Sequence, residues 1–252
     1  VALRLPNGWP FAASYLACIL GGFRLVPVNP ELNEDDQHYI LGRINAHIVI
    51  EDESVLAALP PALSNTPSFE YRKGKVVAVF FTSGSTGRPK GVSHTLEGLV
   101  GNVLAFNQSQ GLDVDTRLYH VLPMAYMAGF LNTLLSPWLV GGTVLLGPRF
   151  RPVEALQFWK RPLTWGANAI WLTPTLAAVL VRMNRDPDIA NKLSESMRHI
   201  FCGTAPLTID LRQSFRATFG CSLQESYGMS EVLLVATQTR TEADTQINVG
   251  QL

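Results

Sequence analysis

The chain has 252 residues, with 20 Lys and Arg against 20 Asp and Glu, so its formal charge is zero. Hydrophobic residues make up 47% and charged residues 16%, which excludes a disordered or coiled-coil chain and predicts one large core or two closely packed ones. With no run of Lys or Arg, a protein built around nucleic acid or an anionic membrane is excluded.

Cys18, Cys202 and Cys221 are odd in number and lack CxxC spacing. They argue against a disulfide scaffold or a structural zinc and make a reducing compartment, the cytoplasm, the expectation. In chain order, residues 1–5 read as a strand, 10–20 as an apolar helix and 23–27 as a short buried strand. Asn33 with Asp36 resembles a capping box opening a helix toward Arg43. Residues 46–50 read as a strand and 64–68 as a loop. Residues 76–81 (VVAVFF) are a continuous apolar run, the pattern of a central parallel strand. A helix is expected from Thr95, with Leu96, Leu99, Val100, Val103 and Leu104 on one face.

Residues 118–148 carry no Asp, Glu, Lys or Arg. Pro123, Gly129, Asn132, Pro137 and the Gly141–Gly142 pair interrupt them. They read as strand 118–122, a buried helix and strand 143–146, and no membrane span is expected. The chain opens with Val1 and shows no basic region before an apolar run, so a signal peptide is either absent or already removed with upstream residues. Strands at 169–172, 199–202 and 222–227 alternate with helices carrying Leu176, Val179, Leu180 and Met183, then Leu211, Phe215 and Phe219. The expected class is α/β: mostly parallel sheets with helices on both faces. Ligands of such folds bind beyond the carboxyl ends of the strands, so the loops after Phe81, Leu122, Cys202 and Tyr227 are the candidate site.

Residues 82–91 read Thr-Ser-Gly-Ser-Thr-Gly-Arg-Pro-Lys-Gly. Glycines let backbone N–H groups approach an anion. The hydroxyls of Thr82, Ser83, Ser85 and Thr86 can donate to phosphate oxygens, and Lys90 adds a mobile cation. Many donors, one cation and no carboxylate suit a polyphosphate. The spacing is not that of a P-loop, because Lys90 follows Pro89 and precedes Gly91. Composition alone also fits a solvated turn, but the position between a buried strand and a helix favours the binding reading.

This segment resembles the phosphate-binding signature of the adenylate-forming (AMP-binding) enzymes, a superfamily that includes acyl- and aryl-CoA synthetases. Other segments resemble the family in its own order: residues 5–7 (LPN) through 26–30 (VPVNP), 122–124 (LPM), 203–207 (GTAPL), 227–231 (YGMSE) and 249–251 (VGQ). The resemblance spans nearly the whole chain and is closest to an acyl-CoA synthetase N-terminal domain.

That resemblance implies a fold and a chemistry. The chain is expected to be the large N-terminal domain of the adenylate-forming fold over residues 1–252, truncated at both ends and without the C-terminal lid. The expected reaction is MgATP-dependent activation of a hydrophobic (fatty or aryl) carboxylic acid as an acyl-adenylate. Thioester formation with coenzyme A would follow in the full-length enzyme. Thr82, Ser83, Gly84, Ser85, Thr86, Gly87 and Lys90 would bind the phosphates. Thr86, Lys90, Ser230 and Glu231 would be catalytic, with Ser230 on the α-phosphate and Glu231 on Mg²⁺. Tyr126, Gly203, Thr204, Ala205, Tyr227, Gly228 and Met229 would line the adenine and acyl pocket, with Tyr126 where many relatives have His. Met124 and Met127, beside Met229, would add an adaptable apolar wall, and His94 reads as structural. An α-amino acid is disfavoured, because residues 125–128 offer no carboxylate for its ammonium. The ribose-binding Asp and the lid lysine would lie downstream, so this chain alone is expected to adenylate poorly or not at all. A stand-alone adenylation domain loading a carrier protein, and a non-catalytic nucleotide or acyl binder, are the alternatives.

Overall fold

A computed structural model of the chain describes residues 1–52, 54, 73–82, 87–148 and 150–245. The chain divides into two compact units, Val1–Val100 with Pro123–Phe130, and Gly101–Leu122 with Leu131–Leu252.

In the first unit, β1 (Ala2–Leu3), β2 (Val26–Pro27) and β3 (Val49–Ile50) form a parallel sheet in the order β2-β1-β3. The crossovers are the helices Trp9–Leu20 and Glu34–Ile44. The first has Pro10 in its opening turn, where a missing N–H costs nothing. The second is capped as expected: the Asn33 side chain accepts from Asp36 N–H at 2.8 Å. Acidic Glu34, Asp35 and Asp36 crowd its first turn and Arg43 sits in its last, matching the helix dipole.

β4 (Val76–Thr82) departs from expectation. It pairs antiparallel with β5 (Lys90–Thr95), so the two strands make a hairpin. Its only parallel neighbour among the described residues is an isolated bridge from Leu25 to Ala78. The apolar run arises because side chains on both faces meet other apolar groups, fully buried on one face and partly buried on the other. Phe80 packs with Tyr15 and Phe130, whose rings stack at 3.8 Å, and Val79 and Phe81 pack toward Val26 and Ile40. A run apolar on both faces carries no record of partner direction. β5 (KGVSHT) carries almost no apolar signal, and only the ladder with β4 makes it a strand. The helix Leu96–Gln110 begins where expected, with Thr95 Oγ1 accepting from Gly98 N–H at 3.2 Å. His94 is buried with its ring edge-on to Phe80, the structural role expected of it.

The second unit holds a six-stranded sheet in the order β11-β10-β9-β8-β6-β7. Its strands are β6 (Arg117–His120), β7 (Thr143–Leu146), β8 (Ala169–Leu172), β9 (His199–Cys202), β10 (Gln224–Met229) and β11 (Leu233–Thr237). All neighbours are parallel except β10 and β11. Side-chain alternation divides the core. Ile170, Leu172 and Ile200 meet the helices Pro174–Met183, Ile189–Ser196 and Ile209–Phe219 through Leu180, Leu193, Phe215 and Phe219. On the other face Trp171, Phe201 and Phe106 pack ring against ring at 4.9–5.6 Å. The sheet is the mostly parallel α/β arrangement expected, with helices on both faces.

The uncharged stretch is a π-helix, Ala128–Leu135, continued by the short helix Ser136–Leu139. Its buried Ser136 is matched: Ser136 Oγ donates to Asn107 Oδ1 at 2.6 Å, and Asn107 Nδ2 donates to the Ser136 carbonyl at 2.9 Å. No described helix is long and apolar enough to cross a membrane. Residues 64–68 and 249–251 lie outside the described residues.

Candidate functional site

In the first unit the hairpin ladder places Thr82 directly opposite Lys90, so the phosphate-type segment is the connection between two antiparallel strands. This corrects the expected strand-to-helix placement: β5 intervenes before the helix. Ser83, Gly84, Ser85 and Thr86 lie outside the described residues. Gly87 has φ +85°, a left-handed conformation that a side chain would strain. A Cβ on Gly91 would stand 3.0 Å from Val79 Cγ1 and 3.1 Å from Phe81 Cζ, so a side chain there would press on both. Lys90 is exposed at the end of the ladder.

The segment after Leu122 is held by two asparagines whose roles the sequence does not announce. Asn7 Oδ1 accepts from Met124 N–H at 2.9 Å, and Asn29 Nδ2 donates to the Tyr126 hydroxyl at 3.0 Å. Both belong to segments that carry the family resemblance, and these contacts give them a physical reason. Tyr126 remains 40% exposed, whereas Met124 and Met127 are buried core residues. The adaptable wall imagined for those two methionines is therefore core packing, while Met229 is 46% exposed.

In the second unit β9 and β10 run parallel, with Cys202 opposite Glu225. Their carboxyl ends therefore bring the Gly203–Thr204–Ala205 turn beside the segment 227–231, where ligands of α/β sheets bind. A Cβ on Gly203 would lie 2.4 Å from Ser226 Oγ and 3.1 Å from the Ser226 carbonyl oxygen, so any side chain there forces the Ser226 hydroxyl to move. Thr204 has φ +74°, a strained setting for a β-branched residue. Thr204 and Ala205 are exposed. Tyr227, 47% exposed at the end of β10, is no core aromatic. A bulge between Tyr227 and Gly228 re-aims the strand, and a Cβ on Gly228 would stand 2.4 Å from the Leu233 carbonyl oxygen. Ser230 and Glu231 occupy the turn into β11, with Glu231 exposed and Ser230 half-buried.

A buried polar network supports this end of the sheet, and the sequence gives no periodic signal for it. Arg212 Nη2 meets Glu225 Oε2 at 2.6 Å, with both side chains about a tenth exposed. Arg212 Nη1 also donates to Gln238 Oε1 and the Leu223 carbonyl. Glu225 Oε1 accepts from the Leu207 N–H at 3.4 Å, which ties the 203–207 turn to β10. Beside the network, burial pushes the Cys202 thiol up to about 12, with the Glu225 charge adding to the effect, so this thiol stays protonated and is no nucleophile. Burial lowers the pKa of His199, whose Nδ1 lies 3.2 Å from Gln224 Oε1.

Among the described residues no group of three His, Cys, Asp or Glu side chains could hold a metal. Glu231 offers one exposed carboxylate, which suits Mg²⁺, an ion that takes one or two protein carboxylates and completes its shell with substrate phosphates and water.

The comparisons with known proteins agree with this geometry. A family described as AMP-binding enzyme matches residues 1–252. The mitochondrial malonate–CoA ligase ACSF3 of Mus musculus is 31% identical over 183 residues, which are 68% of this chain and 31% of that protein. The sulfoacetate–CoA ligase of Cupriavidus necator is 27% identical over 258 residues, 92% of this chain and 49% of that protein. The fold matches that of ATP-bound MatB from Rhodopseudomonas palustris with a TM-score of 0.82 at 21% identity, over 95% of this chain and 51% of that one. The chain thus spans about half or less of the length of these relatives. Motif order, sheet and family match converge, and the chain belongs to the AMP-binding enzyme family.

Proposed function

We propose that the chain carries the nucleotide- and acid-binding residues of an AMP-forming acid–thiol ligase. In the whole protein a carboxylate attacks the α-phosphorus of ATP. The bond to the bridging oxygen breaks, pyrophosphate leaves and an acyl-adenylate remains. Coenzyme A then displaces AMP through its thiol. A carboxylate is a poor electrophile, and the mixed anhydride is a good one. The protein's task is to hold two anions together and offset their charge.

Residues 82–87 and Lys90 offer hydroxyls, backbone N–H groups and a cation to the phosphates. Ser230 offers a hydroxyl to the α-phosphate, and Glu231 a carboxylate to Mg²⁺, which when bound screens the phosphate charge. Tyr227 presents an exposed ring for adenine beside the Gly203–Ala205 turn. The observation that carries the reading is this pairing of an exposed Tyr227–Glu231 turn with a side-chain-free Gly203 at adjacent carboxyl ends.

For the acid we propose an apolar body, fatty or aryl, supported by the lack of Asp, Glu, Lys or Arg across residues 118–148. The named substrates of the two relatives, malonate and sulfoacetate, bear a second anionic group for which that stretch offers no cation. A reducing compartment, the cytoplasm, fits the three cysteines, all buried and unbridged.

The test is thermal stabilisation by non-hydrolysable acyl-adenylate analogues: short and long fatty, aryl, malonyl, sulfoacetyl and aminoacyl. A rise in melting temperature confined to fatty or aryl analogues, and lost in Tyr227→Ala, is expected. A rise confined to malonyl or sulfoacetyl analogues overturns the substrate class. No rise with any analogue on the longest available form of the protein, shown folded, overturns the activity.

A further inference from the structure

The first unit contains a cleft of about 810 Å³ between the β4–β5 hairpin and the helix Glu34–Ile44 with the chain that follows it. Its cationic lining residues come from separate segments: Arg24 before β2, Arg43 near the end of the helix, Lys75 before β4, and Lys90 at the start of β5. Among the described residues no Asp or Glu lines it. In a chain with equal numbers of acidic and basic residues, such segregation is a local feature. The helix shows how it arises: its three acidic residues sit in the first turn, at the far end from Arg43.

The floor is apolar. Side chains alternate along β4, so Val79 and Phe81 face the cleft while Ala78 and Phe80 are buried on the opposite face. Val26 and Tyr39 continue that floor, and the Arg88 guanidinium lies 5.1 Å from the Tyr39 ring centroid, adding one more cation nearby. Like charges over a low-dielectric wall repel one another and focus a positive potential into the cleft. A multiply charged anion relieves that repulsion and satisfies donors that a monovalent ion leaves in water. Arg24 and Arg43 offer planar forks suited to phosphate oxygens, and Lys75 and Lys90 offer point charges. The Lys75 ammonium is anchored by donating to the Gly22 carbonyl, so it is held at the rim.

We infer that this cleft is a binding site for a polyphosphate anion, held by Arg24, Arg43, Lys75 and Lys90, and distinct from the hairpin connection itself. Lys90 belongs to both, and in linking the cleft to the pyrophosphate released by adenylation the inference rests on the proposed function. The source of the phosphates is either that free pyrophosphate or the phosphate-bearing end of a nucleotide.

Isothermal titration of the protein with pyrophosphate, ATP and adenosine 3′,5′-bisphosphate, with sulfate as the control, tests the site at low and at 0.3 M salt (about 6 Å Debye length). The probe variant is Arg24→Gln with Arg43→Gln, which leaves the hairpin untouched. Expected are pyrophosphate binding stronger than sulfate binding, weakened by salt, and a loss of about tenfold or more in the double variant. A loss seen with pyrophosphate assigns the free anion, and a loss confined to the nucleotides assigns their phosphate end. Unchanged affinities for all three in the double variant, or no binding by the folded wild type, overturn the site. Stabilisation by acyl-adenylate analogues, measured on the same variant, keeps the readings apart. If it persists while polyphosphate binding is unaltered by the substitutions, the cleft fails and the proposed function stands. If it is absent in wild type while pyrophosphate binding depends on Arg24 and Arg43, the proposed function fails and the cleft stands.

Discussion

At the scale of single residues, Gly203 carries the sharpest expectation. A Cβ there would enter the space of Ser226 Oγ, while the Ser226 carbonyl oxygen is 3.1 Å away. Gly203→Ala is expected to cost about 1–3 kcal/mol of stability in urea titration and to abolish analogue-induced stabilisation. Adding Ser226→Gly should restore part of both, because it removes the closest clashing atom. Equal stability of wild type and Gly203→Ala would show that the turn is free to move. The sequence announces Gly203, Tyr227 and Glu231 only through the resemblance of residues 203–207 and 227–231 to the family's segments, which implies a role for each; on composition alone Glu231 is an ordinary exposed carboxylate. Asn7 and Asn29 are illegible by the same route. Their side chains act across more than 90 residues, on Met124 and Tyr126, and nothing local distinguishes them from loop asparagines.

At the scale of elements, β10 depends on the side chains behind it. Glu225→Ala leaves the Arg212 guanidinium buried without its carboxylate. A loss of about 3–5 kcal/mol is expected, read as a lower urea midpoint with an unchanged slope. Replacing the pair together, with Arg212→Met and Glu225→Leu, should cost much less, because no uncompensated charge remains. The strand before it has a pH signature. Burial lowers the folded pKa of His199, so the unfolded chain takes up a proton first as pH falls. Its contribution is complete above the unfolded value of about 6.5 and is lost as pH falls toward the folded one. His199→Asn should therefore flatten the decline in melting temperature between pH 7.5 and 5.5, and an identical decline in both proteins would remove His199 as its source. The strands at 143–146, 169–172 and 199–202 were legible to the residue, because each is a short apolar run bounded by turn residues. β5 and β11 were not. β5 is polar and exists through its ladder with β4, while β11 (LLVAT) follows so closely on β10 that no turn signal of Gly or Pro separates them.

At the scale of the molecule, each unit has its own buried thiol: Cys18 in the first, Cys202 and Cys221 in the second. A disulfide-exchange reagent such as Ellman's should label none of them in native buffer and all three in denaturant. Rates measured at intermediate denaturant, with the sites assigned by mass spectrometry, read the opening of each unit separately. Fast labelling in native buffer would contradict the burial of these side chains. The α/β class was legible at this scale because strands and helices alternate from residue 117 onward. The division into two units was not, since its boundary falls inside the helix Leu96–Gln110 and the π-helix Ala128–Leu135, where periodicity continues without a break.

The pairing of Thr82 with Lys90 has a consequence for how this region tolerates change in length. A β-ladder works like a reading frame of two. A residue inserted among positions 83–89 falls between the paired strands and leaves both in frame, so Phe80 still meets Tyr15 and the cost falls on the spacing of the proposed phosphate donors, not on the fold. A residue inserted between Gly91 and His94 shifts the frame. It turns the imidazole out of its niche beside Phe80 and drives the whole downstream end of the hairpin to re-pair, so the same one-residue insertion should cost binding on one side of Lys90 and stability on the other.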